Sequence, residues 1–278
     1  MAETLRTEDA DGVRSIVLTR AAEFNTITPQ LRDELGAAID EADAARDVRV
    51  ILLRAEGRAF CAGYGLDWST VAQGNEARDQ WDSVRDMRMM GTFVDTYMKL
   101  WYCSKPTIAA VHGWCIAGGT DMVLCSDIII ASESAVFGYP PSRVWGTPTT
   151  AMWVYRMGLE QAKRYLLTGD EINAAKAKEI GLIADCVPDD ELQDHAMAFA
   201  KRMAMVPTSQ LVMLKLLCNQ TVENMGFASS RTLGTLFDGI ARHTVEGQHF
   251  VERANEIGWR DAVRERDRPF EDYGERKR

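Results

Sequence analysis

The stretch Lys105–Asp121, KPTIAAVHGWCIAGGTD, contains the signal around which the rest of the sequence is organised. It begins with Thr107–Val111, an apolar run of the length of a strand. A glycine-punctuated turn follows, and Gly118 and Gly119 lead into a helical pattern. The first N–H groups of a helix have no internal partner and lie at the positive end of its dipole. The spacing therefore predicts a binding site for a negatively charged oxygen, with Asp121 about one helical turn away.

Composition limits the class of protein. The chain has 278 residues, of which 46% are hydrophobic, and a formal net charge of −9. That charge argues against general nucleic-acid binding, which needs a basic surface. No apolar run approaches the roughly 18 residues of a membrane span, and the acidic, polar N-terminus differs from a signal peptide. We therefore expect a cytoplasmic protein without a membrane partner, whose 6 cysteines are reduced thiols.

Strands and helices alternate in the first half of the sequence. Apolar runs predict further strands at Val13–Thr19, Val48–Leu53 and Asp127–Ala131. A helix is expected from Thr28, a good N-cap followed by proline, to about Ala45. Residues from about 149 to 265 have a mostly helical pattern. This order indicates one α/β core followed by a helical C-terminal part.

Several common catalytic motifs are missing from the sequence. It has no H-E-x-x-H, and its 4 histidines lack the spacing of metal ligands. A G-x-S-x-G motif is also missing, which argues against a hydrolase triad. The glycines at 63 and 65 begin like a dinucleotide fingerprint, but Trp68 replaces its third glycine, and Gly119 replaces the lysine of a P-loop. We therefore expect no metal and no cofactor.

A second glycine-rich segment, Arg54–Asp67, follows the strand predicted at Val48–Leu53. If this strand neighbours Thr107–Val111, both glycine loops emerge at the same edge of the sheet, and each offers a backbone N–H to one oxygen. Two donors that converge on a carbonyl form an oxyanion hole, worth about 3 kcal/mol of transition-state stabilisation per donor. The residues alone leave open the alternative that both loops are only tight connections.

Longer motifs resemble those of the crotonase (enoyl-CoA hydratase/isomerase) superfamily over nearly the whole chain. The matching segments are FCAGY at 60–64, KPTIAAVHG at 105–113, AGGTD at 117–121, CSDIIIAS at 125–132, FGYP at 137–140, LTGD at 167–170 and AKAKEIGL at 175–182. The resemblance implies an α/β fold, a crotonase-like spiral of ββα units with a helical C-terminal region. It implies acyl-CoA binding and catalysis in residues 1–200 and trimerisation through 201–278.

The same resemblance implies a ligand and several residue roles. The substrate is an acyl-CoA thioester, and its carbonyl oxygen is held by the backbone N–H groups of Tyr64 and Gly118. The residues implied in CoA binding are Arg20, Ala22, Phe60, Ala62 and Gly63. A homo-oligomer, either a trimer or a dimer of trimers, is expected.

Two positions differ from the pair of glutamates that hydratases of this family use. Asp121 occupies the first position and keeps a carboxylate, so the resemblance gives it the acid–base role. Pro141 occupies the second position and cannot transfer a proton, although hydration needs both groups. The candidates for the acyl pocket are Asp67, Tyr139, Pro141 and Arg143. Three of these candidates also have a structural alternative: Asp67 as a helix cap, Tyr139 as a pocket wall and Arg143 in a surface ion pair.

The sequence favours an acyl-CoA-processing enzyme, nominally an enoyl-CoA hydratase/isomerase of the lyase or isomerase type, in which an oxyanion hole stabilises a thioester enolate. Two alternatives stay open. One carboxylate on the same fold also suits acyl-CoA hydrolysis, decarboxylation or dienoyl-CoA isomerisation. A non-catalytic acyl-CoA-binding protein is the other alternative. The acyl chain length, the reaction and the pathway do not follow from the sequence.

Overall fold

The strands of this chain form two sheets. The computed structural model describes residues 3–66 and 83–273. Its strands are β1 (Leu5–Ala10), β2 (Val13–Leu18), β3 (Val50–Ala55), β4 (Ala59–Cys61), β5 (Thr107–Val111), β6 (Trp114–Ile116), β7 (Ile128–Ser132), β8 (Val136–Gly138), β9 (Ile172–Asn173) and β10 (Asp185–Val187). The larger sheet has the order β1-β2-β3-β5-β7-β10, and the smaller sheet has the order β4-β6-β8-β9.

The two sheets are built from repeated strand pairs. β3, β5 and β7 are parallel neighbours in the larger sheet, and each passes by a short turn into β4, β6 or β8, which are parallel neighbours in the smaller one. A helical segment follows each pair along the chain. This repetition is the predicted spiral of ββα units, so the expected fold class is confirmed.

Helices occupy the space around the sheets and most of the last third of the chain. They are α1 (Pro29–Ala44), α2 (Ser83–Tyr102), α3 (Gly118–Val123), α4 (Met152–Met157), α5 (Leu159–Leu166), α6 (Ala174–Glu179), α7 (Leu192–Ala204), α8 (Thr208–Asn224), α9 (Phe227–Arg242), α10 (Val245–Ile257) and α11 (Trp259–Asp267). Short 3-10 turns span Ala21–Glu23, Pro140–Arg143 and Arg268–Phe270. In the described ranges, no helix combines the length and apolar character needed to cross a bilayer.

The central strands of the larger sheet are buried on both faces. Along β3, Ile51 and Leu53 point into the main core, whereas Val50 and Leu52 join a second cluster against α7. Alternate side chains of a strand point to opposite faces, so covering both faces requires the nearly continuous apolar run seen in the sequence. The sheet therefore fixes the ends of β3 and β5 rigidly.

The prediction that the two glycine loops lie together requires β3 and β5 to be neighbours, and they are. β3 pairs in parallel with β5, with Ile51 opposite Thr107, and β4 pairs in parallel with β6. Both glycine loops therefore leave the sheets side by side. The proposed division at residue 200 falls inside α7, and α9 packs against α2. The separate roles of residues 1–200 and 201–278 stay a prediction.

Candidate active site

The two glycine loops touch each other through their backbones. Gly63 has a φ of +91°, and a Cβ placed there would lie 2.9 Å from the Cβ of Ala117 and 3.4 Å from the backbone nitrogen of Gly118. A Cβ on Gly118 would lie 2.6 Å from Cε2 of Tyr64. Only glycine fits at both positions, because any side chain would separate the loops. The backbone at 63–64 is thereby held beside the start of α3.

The Tyr64 side chain anchors its own loop in the core. Its hydroxyl accepts a hydrogen bond from the Tyr97 hydroxyl at 3.1 Å. Its ring packs edge to face on Phe93, with 5.4 Å between ring centroids. Burial raises the pKa of Tyr64 above its ordinary value, which keeps the phenol neutral. Tyr64 is therefore held at its side-chain end by the core and at its backbone by a bridge to Ile27.

The start of α3 is shaped by a residue in an unusual conformation. Ala117 has a φ of 52° and a ψ of −126°, a backbone conformation that residues other than glycine rarely adopt. Its N–H donates to the Gly138 carbonyl at 2.9 Å, and its own carbonyl accepts from Thr120 at 2.9 Å and Asp121 at 3.2 Å. Gly118 begins the helix, where an N–H group has no helical partner. An oxyanion donor needs an N–H group without an internal partner, as at a helix start. The role of the Tyr64 and Gly118 N–H groups stays a prediction.

A cavity of about 150 Å³ lies against both loops. Its walls come from the glycine loops, from the segment at 139–146 and from the C-terminal helices α9 to α11. The wall residues that bear on chemistry are Tyr64, Gly118, Tyr139, Pro141, Asp238 and Arg242. Most of the remaining wall is apolar, as is usual for a pocket that takes an acyl group.

The four acyl-pocket candidates lie in different places. Tyr139 and Pro141 line the cavity, and the Tyr139 hydroxyl donates to the Thr147 carbonyl at 2.8 Å. Arg143 lies outside the cavity wall, buried among acidic side chains, with a nitrogen 2.9 Å from an oxygen of Asp267. Arg143 therefore forms a buried structural ion pair, not an ion pair on the surface. Asp67 lies outside the described residues.

The residues predicted to bind CoA occupy one loop and one turn that are hydrogen-bonded together. They are Arg20 and Ala22 in the loop, and Phe60, Ala62 and Gly63 in the turn. The Ala62 N–H donates to the Phe24 carbonyl at 3.1 Å, and the Ile27 N–H donates to the Gly63 carbonyl at 2.8 Å. Ala62 also lines the cavity. The structure thus brings loop and turn together at one edge of the site, and their contact with CoA stays a prediction.

Asp121 is fully buried, and both oxygens of its carboxyl group accept hydrogen bonds. The Thr149 N–H donates to Oδ1 at 3.1 Å, and the Thr149 hydroxyl donates to Oδ2 at 2.9 Å. Burial raises the pKa of Asp121 to about 7, although the bonds from Thr149 oppose the rise. Asp121 does not belong to the described residues that line the cavity. The acid–base role of Asp121 stays a prediction, and its carboxyl group is not part of the described cavity wall.

Asp238, which the sequence analysis did not single out, lines the cavity instead. A Cβ placed on Gly146 would lie 2.9 Å from the Cβ of Pro141 and 3.4 Å from Oδ1 of Asp238. A carboxylate from the C-terminal helix α9 therefore reaches the region beside Pro141. Burial raises the pKa of Asp238, and the charge of Arg242 opposes that rise.

Arg242 holds the Asp238 carboxylate in place. Its Nη1 donates to Oδ2 of Asp238, one helical turn earlier on α9. The sequence does contain this signal, since an aspartate and an arginine four residues apart share one face of a helix. This pair has no site role in the sequence analysis, because residues 201–278 are assigned there only to trimerisation. Among the described residues, no group of three or more His, Cys, Asp or Glu side chains is placed to hold a metal ion.

Known proteins resemble this chain along most of its length. The pattern of the enoyl-CoA hydratase/isomerase family matches residues 8–261. EchA13 of Mycobacterium tuberculosis, which has an enoyl-CoA hydratase name, is 34% identical over 249 residues, 82% of this chain and 77% of that protein. The 1,2-epoxyphenylacetyl-CoA isomerase of Escherichia coli is 30% identical over 247 residues, 86% of this chain and 87% of the relative.

Solved structures agree with these sequence relationships. An enoyl-CoA hydratase from Mycobacterium smegmatis matches with a TM-score of 0.93 and 42% identity, over 98% of this chain and 96% of that one. An enoyl-CoA hydratase/isomerase from Xanthobacter autotrophicus Py2 matches with a TM-score of 0.88 and 28% identity, over 97% and 99%. This protein is therefore an acyl-CoA-processing enzyme, and it belongs to the enoyl-CoA hydratase/isomerase family.

Proposed function

We propose that this enzyme moves the double bond of an enoyl-CoA thioester, with Asp238 as the group that transfers the proton. One observation carries the proposal. Asp238 is the only carboxylate among the described residues that line the cavity, and it approaches the region beside Pro141. Double-bond migration needs one base that can return the proton it took, whereas hydration needs a second acid–base group.

The backbone N–H groups of Tyr64 and Gly118 bind the thioester carbonyl oxygen in this proposal. The Asp238 carboxylate takes a proton from Cα of a 3-enoyl thioester, and the electron pair moves onto the carbonyl oxygen. The negative charge that develops there is stabilised by the two N–H donors. The same carboxyl group returns the proton to Cγ, which yields the 2-enoyl thioester. Atoms and electrons balance without water or a cofactor.

The surroundings of Asp238 suit a group that must both take and release a proton. Burial raises its pKa, which makes the carboxylate a stronger base than an exposed one. Arg242 keeps the carboxylate oriented by a charge-assisted hydrogen bond. The two effects together support a proton held at a fixed position between the two transfer steps.

The first prediction compares two aspartates that differ in access to the cavity. With 3-hexenoyl-CoA as substrate, Asp238→Asn is expected to lower kcat/KM by about a hundredfold or more, because a general base contributes about that factor. The matched variant Asp121→Asn is expected to lower it by less than about tenfold. Product formation is followed by proton NMR, and incorporation of deuterium at Cα is measured in D2O.

Two results would overturn the proposal. The first is conversion of 2-hexenoyl-CoA to the 3-hydroxyacyl thioester as the faster reaction. The second is a large loss in Asp121→Asn with full activity in Asp238→Asn, which would return the acid–base role to Asp121. Melting temperatures of both variants show whether either loss reflects unfolding.

The enzyme is also proposed to assemble as a trimer or a dimer of trimers. The support is an apolar surface on α8, where Met213, Leu214, Leu216 and Leu217 are 52 to 67% exposed. A group of neighbouring large apolar side chains on the surface is typical of a protein–protein interface. A cytoplasmic location remains part of the same proposal, in keeping with cysteines that are free thiols.

A further inference from the structure

The 3-10 turn Pro140–Arg143 contains two residues with different surroundings. Pro141 lines the cavity. Arg143 lies in a cluster of acidic side chains, and only 2% of its own side chain is exposed. Its Nη1 donates to Asp267 at 2.9 Å, and Nη1 and Nη2 donate to the two carboxylate oxygens of Asp272 at 2.8 and 2.7 Å. Such a bidentate pair fixes the relative orientation of both partners.

Both aspartates belong to the end of the chain. Asp267 is the last residue of α11, and Asp272 lies in the C-terminal segment, residues 268–273, that follows it. Helix α11 supplies Val263 and Arg266 to the cavity wall. Arg266 donates from Nε and Nη2 to Asp267 at 2.8 and 2.6 Å. The carboxylate of Asp267 thus connects an arginine of the cavity wall with the acidic cluster.

The C-terminal segment also packs against the turn and the smaller sheet. The guanidinium carbon of Arg143 lies 3.8 Å from the centroid of the Phe270 ring, a cation–π contact. The Tyr273 ring packs on Trp114 of β6, with 5.9 Å between ring centroids. A Cβ placed on Gly138 of β8 would lie 1.7 Å from the Tyr273 hydroxyl oxygen, so only a glycine leaves room for this tyrosine. The segment therefore has a specific seat.

Resting on the proposed binding of an acyl-CoA in this cavity, we propose that Arg143 and Asp272 are positioning residues for that binding. Neither belongs to the described cavity wall. Their ion pair holds the C-terminal segment and the end of α11, so that Val263 and Arg266 complete the wall to which Pro141 also belongs.

Loss of the pair is expected to weaken binding through the position of the segment. Removing the Asp272 carboxylate leaves the buried charge of Arg143 with less compensation. Detachment of the segment lets that charge reach water, so part of the population has an incomplete wall. The apparent affinity for a ligand then falls in proportion to the fraction of molecules that stays docked.

Binding of hexanoyl-CoA, which has no double bond to move, tests this assignment independently of turnover. Calorimetry is done on the full-length protein. In Asp272→Ala we expect the dissociation constant to rise about tenfold, as when about one molecule in ten keeps the segment docked. Asp272→Glu restores a carboxylate and is expected to stay within about threefold of the wild type. Asp272→Asn keeps one acceptor and is expected to lie between these two variants.

The matched control is a second ion pair of α11. Asp261→Asn breaks an exposed pair with Arg264, whose atoms lie 2.9 Å apart. Exposed pairs contribute little, so this variant is expected to change the dissociation constant by less than about twofold.

Two further measurements separate positioning from a general loss of stability. With 3-hexenoyl-CoA, Asp272→Ala is expected to raise KM about tenfold while kcat stays within about threefold, because a docked molecule keeps the whole site. Binding favours the docked segment in return. Saturating hexanoyl-CoA is therefore expected to slow hydrogen exchange of the backbone amides of residues 268–273 in this variant.

An unchanged dissociation constant in Asp272→Ala, or in Asp272→Asn if the alanine variant does not fold, would overturn the assignment. A fall in kcat at unchanged KM would do the same, and so would hydrogen exchange of the segment that does not respond to the thioester. A protein whose affinity depends on Asp272 but which moves no double bond would refute the proposed isomerisation and leave this inference standing.

Discussion

Asp121 shows how burial and hydrogen bonding act on the same carboxyl group. Its pKa is raised to about 7 by burial, so the folded protein keeps the proton at pH values where the unfolded chain has lost it. Stability from this group is therefore present at low pH and is lost as the pH rises toward 7. The second prediction concerns Asp121→Asn, which cannot ionise and keeps the acceptor for the Thr149 N–H.

We expect the free energy of unfolding of Asp121→Asn to rise relative to that of the wild-type protein as the pH increases. With a pKa of about 7 for Asp121, the increase between pH 5 and pH 8 is about 2 to 3 kcal/mol. Urea denaturation at a series of pH values measures this difference. Thr149→Val removes the hydroxyl that opposes the rise of this pKa but keeps the carboxyl group, so its pH dependence is expected to persist and to extend to higher pH. A difference between Asp121→Asn and wild type that is independent of pH would contradict the pKa assignment.

The third prediction tests the loop contact at Gly118. In Gly118→Ala the new Cβ would meet the Tyr64 ring at 2.6 Å, so the two loops must separate. Loss of an oxyanion donor lowers kcat by about a hundredfold or more, and we expect a loss of that size with 3-hexenoyl-CoA. Gly91→Ala is the matched control, because nothing lies within 4 Å of its new Cβ, and it is expected to stabilise α2 by about 0.5 to 1 kcal/mol. Unchanged activity in Gly118→Ala would remove Gly118 from the oxyanion hole.

At the residue level, the sequence predicted local features better than distant partners. Gly63 and Gly118 were identified because glycines after strands have a local pattern, and the structure brings their loops together. Asp238 lies far along the chain from Pro141, and only the packing of α9 against α2 brings it to the cavity. No local pattern encodes that packing. Recognition of the i, i+4 pair Asp238 and Arg242 would have identified the residues but not their location.

The fourth prediction concerns the start of helix α1. Thr28 is its N-cap, and its hydroxyl accepts a hydrogen bond from the Leu31 N–H at 3.1 Å. Thr28→Ala is expected to lower the free energy of unfolding by about 1 kcal/mol, since the N–H loses its acceptor. Thr28→Ser keeps the hydroxyl and is expected to stay within about 0.5 kcal/mol of the wild type. Urea denaturation measures both, and equal values for the two variants would contradict the capping role.

Among the elements, helix α1 and strand β5 follow directly from sequence, because a cap, a proline and an apolar run mark their ends. Strand β1 was not predicted. Only the first of its six residues is buried, so its side chains have the polar character of a loop. Its pairing with β2, rather than burial, makes it a strand. Short strands such as β4 and β6 were assigned to turns for a related reason, since three residues are too few to show a period.

At the level of the whole molecule, the fifth prediction concerns the apolar surface of α8. Leu217 is 67% exposed and belongs to the surface proposed to contact other copies of the chain. Leu217→Lys is expected to shift the enzyme toward monomers at micromolar concentration, because a charge would be buried in that contact. Light scattering after size-exclusion chromatography measures the mass. Leu167→Lys changes another exposed leucine, which is 81% exposed and lies outside α8. This variant is expected to leave the mass unchanged, because Leu167 does not belong to the α8 surface. A wild-type monomer would contradict the proposed assembly.

The cavity wall includes Ala62, early in the sequence, and Arg266, late in it. At synthesis rates of about 5 to 20 residues per second, the roughly 200 residues between them take about 10 to 40 s to make. The growing chain therefore contains both glycine loops well before helices α9 to α11, which complete the cavity wall, have been made. A chain that ends before these helices would lack their part of the cavity wall, so acyl binding at the proposed site would require synthesis through Arg266.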